Sequence, residues 1–126
     1  MWGGFLLVVS GPSGSGKGTI CKKLLKRNKE LIFSVSATTR RPRPGEIEGV
    51  NYFFIDEKKF KKMIDENEFL EYANVHNNYY GTPKKFVLDE IKKGEIVLLE
   101  IDVQGALQIK KAYPEAVLVF LSPPSI

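Results

Sequence analysis

Gly11-Pro12-Ser13-Gly14-Ser15-Gly16-Lys17-Gly18-Thr19 is the stretch on which the reading of this chain turns. The apolar run Phe5-Leu6-Leu7-Val8-Val9 precedes it, and a segment with helical spacing, Thr19 to Asn28, follows. Strand, glycine-rich loop, lysine and helix form the order in which such a loop wraps phosphate. Glycines let successive main-chain N–H groups turn inward on phosphate oxygens. The helix start adds unpaired N–H groups and the positive end of its dipole. Lys17 adds a full charge within reach of terminal phosphates. The motif predicts binding of a nucleoside triphosphate in a cradle of Gly11, Ser13, Gly14, Ser15, Gly16, Lys17, Gly18 and Thr19. A chance surface turn carrying a lysine is the competing reading, and the flanking strand and helix argue against it.

One position departs from the general pattern, in which a Ser or Thr after the lysine holds magnesium. Here that position is Gly18, and the first hydroxyl is Thr19. Lys-Gly-Thr resembles the loop ending of adenylate kinases, so the loop reads as functional while the manner of holding the metal stays open.

With 126 residues the chain suits one compact domain. Its 43% hydrophobic and 27% charged content is that of a soluble globular protein. The net charge of +4 suits anionic ligands without choosing among them. Most of the lysines come in pairs, among them Lys22-Lys23, Lys58-Lys59, Lys61-Lys62, Lys92-Lys93 and Lys110-Lys111. On helical segments these read as solvated faces rather than a nucleic-acid patch. Cys21 is the only cysteine, so no internal disulfide forms, and it reads as a small packing residue. No run is long enough to span a membrane, and the apolar N-terminal stretch is too short for a signal peptide and has no basic leader. The default expectation is a cytoplasmic protein.

Four segments read as strands covered on both faces of a parallel sheet: Phe5–Ser10, Ile32–Ala37, Ile96–Asp102 and Ala116–Leu121. Helices are expected between them. The first carries the stripe Ile20, Leu24 and Leu25. The second runs from Glu57 to Glu66, with Asp56 as cap and Phe60, Met63 and Ile64 inward. The third starts from Thr82-Pro83 as a cap and first-turn pair, carries Val87, Leu88 and Ile91, and stops at Gly94. The fourth covers Gln104 to Ala112. Tyr52–Ile55 and Phe69–Tyr72 read as short strands outside the main sheet. The expected organisation is a core with the phosphate loop (1–37), an inserted β-containing region (38–82) and a core continuation (83–126). Repeats and low-complexity tracts are lacking. Ser122-Pro123-Pro124-Ser125-Ile126 follows the fourth strand directly, leaving an uncovered sheet edge, so the chain is expected to be part of a longer protein. Trp2 reads as a terminal packing residue, and His76, the only histidine, as a solvated loop residue.

Ser34-Val35-Ser36-Ala37-Thr38-Thr39-Arg40-Arg41-Pro42-Arg43-Pro44-Gly45-Glu46 leaves the carboxyl end of the second strand, where open α/β sheets place ligands. Arg40 and Arg43 have Cα atoms within ~10 Å in an extended chain, so both side chains can converge on one anion. A basic solvated loop or a localisation tract is the alternative. Glu100 and Asp102, two apart at a strand end, would project to one face. Buried there, they would need a magnesium ion, a base or an arginine as partner. Asp102 could instead cap the next helix.

Taken together these pieces resemble the guanylate kinase family, which phosphorylates GMP. The resemblance adds Gly49–Phe54, Asn67–Ala73, Asn78–Thr82, Glu100–Gly105 and Ser122–Ser125 to the two stretches quoted above, and covers essentially the whole chain. It implies an α/β fold of the phosphate-loop nucleoside monophosphate kinase kind, with a parallel sheet, flanking helices and a small inserted GMP-binding region. It implies ATP as co-substrate with Mg2+, GMP as acceptor, and a place in purine nucleotide metabolism. Ser36, Arg40, Arg43, Tyr52 and Tyr80 would hold the GMP phosphate, and Glu71, Thr82 and Asp102 would read guanine. Lys17, Arg40 and Arg43 would be catalytic, and Glu100 would serve the metal through water. Guanine's N1–H and exocyclic amine match the two oxygens of a carboxylate such as Glu71, and adenine lacks that donor pair. From its own position alone, Glu71 reads as a surface carboxylate in a polar hairpin. The family's arginine-bearing lid and last strand and helix are not found in these residues, which are therefore expected to bind GMP better than they turn it over. A catalytically silent guanylate-kinase-like binding module and a kinase of another nucleoside monophosphate are the alternatives. Oligomeric state is not legible.

Overall fold

The computed structural model describes residues 3–12 and 14–122. In chain order the elements are β1 (Phe5–Ser10), α1 (Lys17–Arg27), β2 (Leu31–Phe33), β3 (Ala37–Thr38), β4 (Phe53–Phe54), α2 (Glu57–Asp65), β5 (Phe69–Val75), β6 (Asn78–Pro83), α3 (Lys84–Lys92), β7 (Ile96–Ile101), α4 (Val103–Ala112) and β8 (Val117–Phe120). They fall into two compact units, one built from the chain up to Ser34 and from Phe86 onward, the other from Val35–Lys85.

The first unit is an α/β layer. Its sheet has the order β2-β7-β1-β8 and every pair in it is parallel. The register runs Phe5↔Ile96 to Ser10↔Ile101 on one side of β1 and Leu7↔Val117 to Ser10↔Phe120 on the other. Leu6, Val8, Val9, Val97, Leu98 and Leu99 are buried, the continuous apolar pattern of strands with both faces covered. On one face Val9 and Leu98 meet Cys21, with Leu24 and Leu25 packed alongside. Cys21 rather than Ile20 is the buried position of α1, and Ile20 is exposed. Ala106 and Ile109 of α4 and Val87 of α3 are also buried. Gly105 lies so close to Ile101 that any side chain there would collide with it.

Two strand expectations change. Ile32–Ala37 is not one strand: β2 ends at Phe33, Ser34 N–H still donates to Leu98 O at 2.9 Å, and Ala37-Thr38 pairs in the other sheet. The apolar residues are continuous but their hydrogen-bond partners are not. β8, at the end of the sheet order, is not covered on both faces, and Val117, Val119 and Phe120 are exposed.

The second unit has a sheet of order β4-β3-β6-β5, with β3–β4 parallel and the other pairs antiparallel. β5 and β6 form a hairpin closed by His76 and Asn77, both with positive φ (51° and 68°), the two-residue turn whose twist suits the strands. Asp56 caps α2, its Oδ1 accepting from Lys59 N–H at 2.7 Å. Phe60 of α2 is fully buried and stacks on Phe69 (4.4 Å between centroids) and Tyr79 (5.1 Å). Ala37, Ile55, Met63 and Ile64 complete this core. Thr82-Pro83 does not start a helix. It ends β6, and α3 follows from Lys84. The paired lysines of α1, α2 and α4 are exposed, and no described helix is long and apolar enough to cross a membrane.

Candidate functional site

The glycine-rich loop joins β1, which has a parallel neighbour on each side, to α1. Gly14 (φ 82°) and Gly16 (φ 86°) take left-handed backbone that a side chain would strain. The helix starts at Lys17, two residues earlier than the sequence suggests, with Gly16 as its cap and no side-chain cap bond. Its first internal bond is Ile20 N–H to Gly16 O at 3.0 Å, so the N–H groups of Lys17, Gly18 and Thr19 carry no intrahelical bond. Those donors, with the dipole behind them, form an anion site. Ser13 of the expected cradle lies outside the described residues, as do Trp2 and Pro123-Pro124-Ser125-Ile126.

Gly18 faces Glu100. A Cβ on Gly18 would sit 3.7 Å from Glu100 Oε2, so the missing side chain leaves room beside that carboxylate. The buried hydroxyls of Ser10 and Ser15 have no hydrogen-bond partner among the described residues, and an uncompensated buried hydroxyl points to a group yet to be bound. Cys21 senses the local charges. Burial and then Glu100 push its thiol up to about 11, with Lys17 pulling the other way. Glu100 is half-buried. Asp102 is exposed and has left the strand, its Oδ1 accepting from Gly105 N–H at 2.8 Å as the cap of α4. The expected desolvation cost of two buried carboxylates does not arise for it.

The arginine loop belongs to the second unit. Arg40 Nη1 and Nη2 donate to Glu46 Oε1 and Oε2, both at 2.9 Å, and Nη1 also donates to Arg41 O at 3.0 Å. The guanidinium lies over Tyr52 (5.1 Å) and Phe54 (6.0 Å), and the Tyr80 hydroxyl is a further partner. Tyr52 and Tyr80 meet edge to face at 6.0 Å. Ser36 adjoins this group through its main-chain oxygen, which accepts from Phe53 N–H at 2.9 Å. Arg40 and Arg43 meet at one carboxylate. Arg43 is exposed and reaches the same Glu46 carboxylate with its main-chain N–H at 2.7 Å. Glu46 is held down to about 2 by Arg40 first and the Arg43 N–H second, while Arg40 is raised. The sequence reading did not single out Glu46. Its signal is position: a carboxylate returning to the arginines through Pro44-Gly45, with Gly45 at φ 88° and Glu46 N–H on Arg43 O at 3.0 Å, as in a type II turn.

Glu71 is buried on β5, not a surface carboxylate. Thr82 Oγ1, fully buried on β6, donates to Glu71 Oε1 at 2.8 Å. The Glu71↔Thr82 register of the hairpin sets the pair side by side.

A glycine-rich loop between the inner strand of a parallel sheet and a helix, with a small sheet-bearing insert, defines an α/β protein of the phosphate-loop nucleoside monophosphate kinase kind. The family model described as Guanylate kinase matches residues 4–126. The guanylate kinases of Clostridioides difficile (strain 630) and Carboxydothermus hydrogenoformans are each 61% identical over 123 residues, 98% of this chain and 60% of theirs. The crystal structure of guanylate kinase from Anaplasma phagocytophilum superposes with a TM-score of 0.82 at 38% identity, covering 99% of this chain and 63% of that one. The chain belongs to the guanylate kinase family. It spans about 60% of the length of these curated relatives.

Proposed function

We propose that this chain carries the nucleotide sites of an ATP:GMP phosphotransferase, which moves the γ-phosphoryl group of ATP to the phosphate of GMP and yields ADP and GDP. The observation that carries this reading is the buried Glu71–Thr82 pair in the same small unit as the Arg40–Tyr52–Tyr80 cluster. One arrangement suits a base with adjacent donors and the other suits a phosphate. The Thr82 hydroxyl fixes the orientation of the Glu71 carboxylate, whose two oxygens match guanine N1–H and the exocyclic amine. Ser36, Arg40, Arg43, Tyr52 and Tyr80 take the GMP phosphate, and Arg40 and Arg43 offset its charge against the donor.

Lys17 and the loop amides from Gly11 to Thr19 hold the triphosphate. Such transfers depend on alignment and charge neutralisation more than on covalent chemistry. Glu100, through water, would hold a magnesium ion brought with ATP, and the missing side chain at Gly18 leaves room beside that carboxylate. When bound, the metal supplies further neutralisation of the phosphate charge. Intact Lys17 and loop glycines favour an enzyme over a silent binding module. The setting is the cytoplasm and purine nucleotide metabolism, with ATP and GMP as partners and no nucleic acid or membrane.

Calorimetric titration of the chain with GMP, AMP, CMP and UMP, alongside a coupled ADP-release assay, tests this. GMP is expected to bind about a thousandfold or more tighter than AMP, as for a site built to pair a donor set that the analogue lacks. Glu71→Ala should erase the preference. Equal affinity for GMP and AMP would refute the guanine assignment.

A further inference from the structure

The side chain of Arg40 is held more completely than a surface arginine has reason to be. Two of its five N–H donors face Glu46, and a third faces Arg41 O. Its flat face rests on Tyr52, and its side chain is 11% exposed. In a planar guanidinium the donors that neither Glu46 nor Arg41 takes are Nε–H and the second N–H of Nη2, which lie parallel along one edge, with the Tyr80 hydroxyl a further partner of the group. That edge is a complete two-donor fork, the shape that matches two oxygens of a phosphate. The same carboxylate takes the Arg43 N–H, so one side chain fixes both arginine positions of the loop. The Pro44-Gly45 turn returns Glu46 to this place, so the carboxylate is held by main chain as well as by charge.

A group competing for the anion site would occupy the edge the anion needs. Glu46 takes the Nη1/Nη2 end of the guanidinium and does not use the Nε/Nη2 edge. We infer that Glu46 is a positioning residue of the phosphate site: it orients the Arg40 side chain so that the Nε/Nη2 edge faces the phosphate of the nucleoside monophosphate, and it sets the Arg43 main chain beside it. The inference rests on the assignment of this loop to the GMP phosphate.

The experiment is calorimetric titration of the chain and its Glu46→Gln and Glu46→Asp variants with GMP and with guanosine, which has no phosphate. Glu46→Gln keeps the size but gives up the charge and one acceptor. It is expected to weaken GMP binding about tenfold, the worth of one charge-assisted hydrogen bond, and to leave guanosine binding unchanged. Glu46→Asp, which keeps the charge, should recover part of the loss. In an Arg40→Lys background, Glu46→Gln should cost less than twofold, because the group it acts through is gone. Unchanged or tighter GMP binding by Glu46→Gln overturns the inference, and so does an equal loss for GMP and guanosine, which marks general damage to the fold. If the unaltered chain binds guanosine but gains nothing from the phosphate, the site assignment fails before the role of Glu46 arises.

Discussion

Replacing Phe60 with Ala should dissolve the second unit selectively. Phe60 is fully buried and is the centre of a small core, stacked between Phe69 and Tyr79. A buried Phe→Ala change costs about 3–5 kcal/mol, and the amount depends on how far the surroundings collapse into the gap. Here collapse is limited. Gly81 beside the ring has no side chain to swing in, its ideal Cβ position lying 3.0 Å from Phe60 Cζ, and Ala37 offers only a methyl. The cost should fall in the upper half of that range. A unit of about 50 residues has roughly 2.5–7.5 kcal/mol of stability at ordinary per-residue values, so the substitution removes most of it. The assay is native-state amide hydrogen exchange. Amides of the β5–β6 hairpin, among them Ala73 and Tyr80, which pair with each other, should exchange about a thousandfold faster. Those of Leu7 to Val9 in β1, whose core is separate, should change by less than about tenfold. Hairpin protection within about tenfold of the unaltered chain would refute this account of the aromatic core.

Thr82→Val keeps the shape of a fully buried side chain but deletes its bond to Glu71; urea unfolding should show a loss of about 1.5–3 kcal/mol, and an unmoved midpoint would mean that the bond contributes nothing. Cys21, its thiol pushed up to about 11 chiefly by burial, should be alkylated by iodoacetamide at pH 7.5 roughly a hundredfold or more slower than the denatured chain; a rate near that of a free thiol would show the site to be open. Glu46 has its pKa lowered from 4.5 to about 2 in the fold, so its ion pair stabilises the native state above the unfolded value and is lost as pH falls through the folded one. The stability gap between the unaltered chain and Glu46→Gln should therefore be flat above about pH 5 and close between there and about pH 2, whereas a gap constant down to pH 2 would exclude that pairing.

The strands and helices of the first unit were legible because their signals are local. Continuous apolar runs, a glycine loop and helical stripes each depend on neighbouring residues. What escaped depends on partners distant in sequence. Asn78–Pro83 reads as polar and aromatic loop followed by a helix start, yet it pairs with β5 and β3. Its turn uses His76-Asn77 rather than an Asn-Gly pair, so the usual hairpin marker is missing. The cap-like place of Thr82 before a proline conceals that its hydroxyl serves Glu71. Ile32–Ala37 looks like one strand because propensity does not record a change of sheet. Within the arginine loop the charges were obvious. Their pairing was not, because a carboxylate six residues from Arg40 faces it only after Pro44-Gly45 has turned the chain.

The glycine loop hangs from β1, and from Leu7 to Ser10 β1 has a paired strand on either side. Its far end enters a helix at Lys17. Both anchors are set by main-chain bonds that need no ligand, so the N–H groups of Lys17, Gly18 and Thr19 stand in place at the helix start. Freezing one backbone residue costs about 1–2 kcal/mol. Donors already fixed by the helix do not incur that cost on binding, so more of the attraction between amide and phosphate appears as affinity.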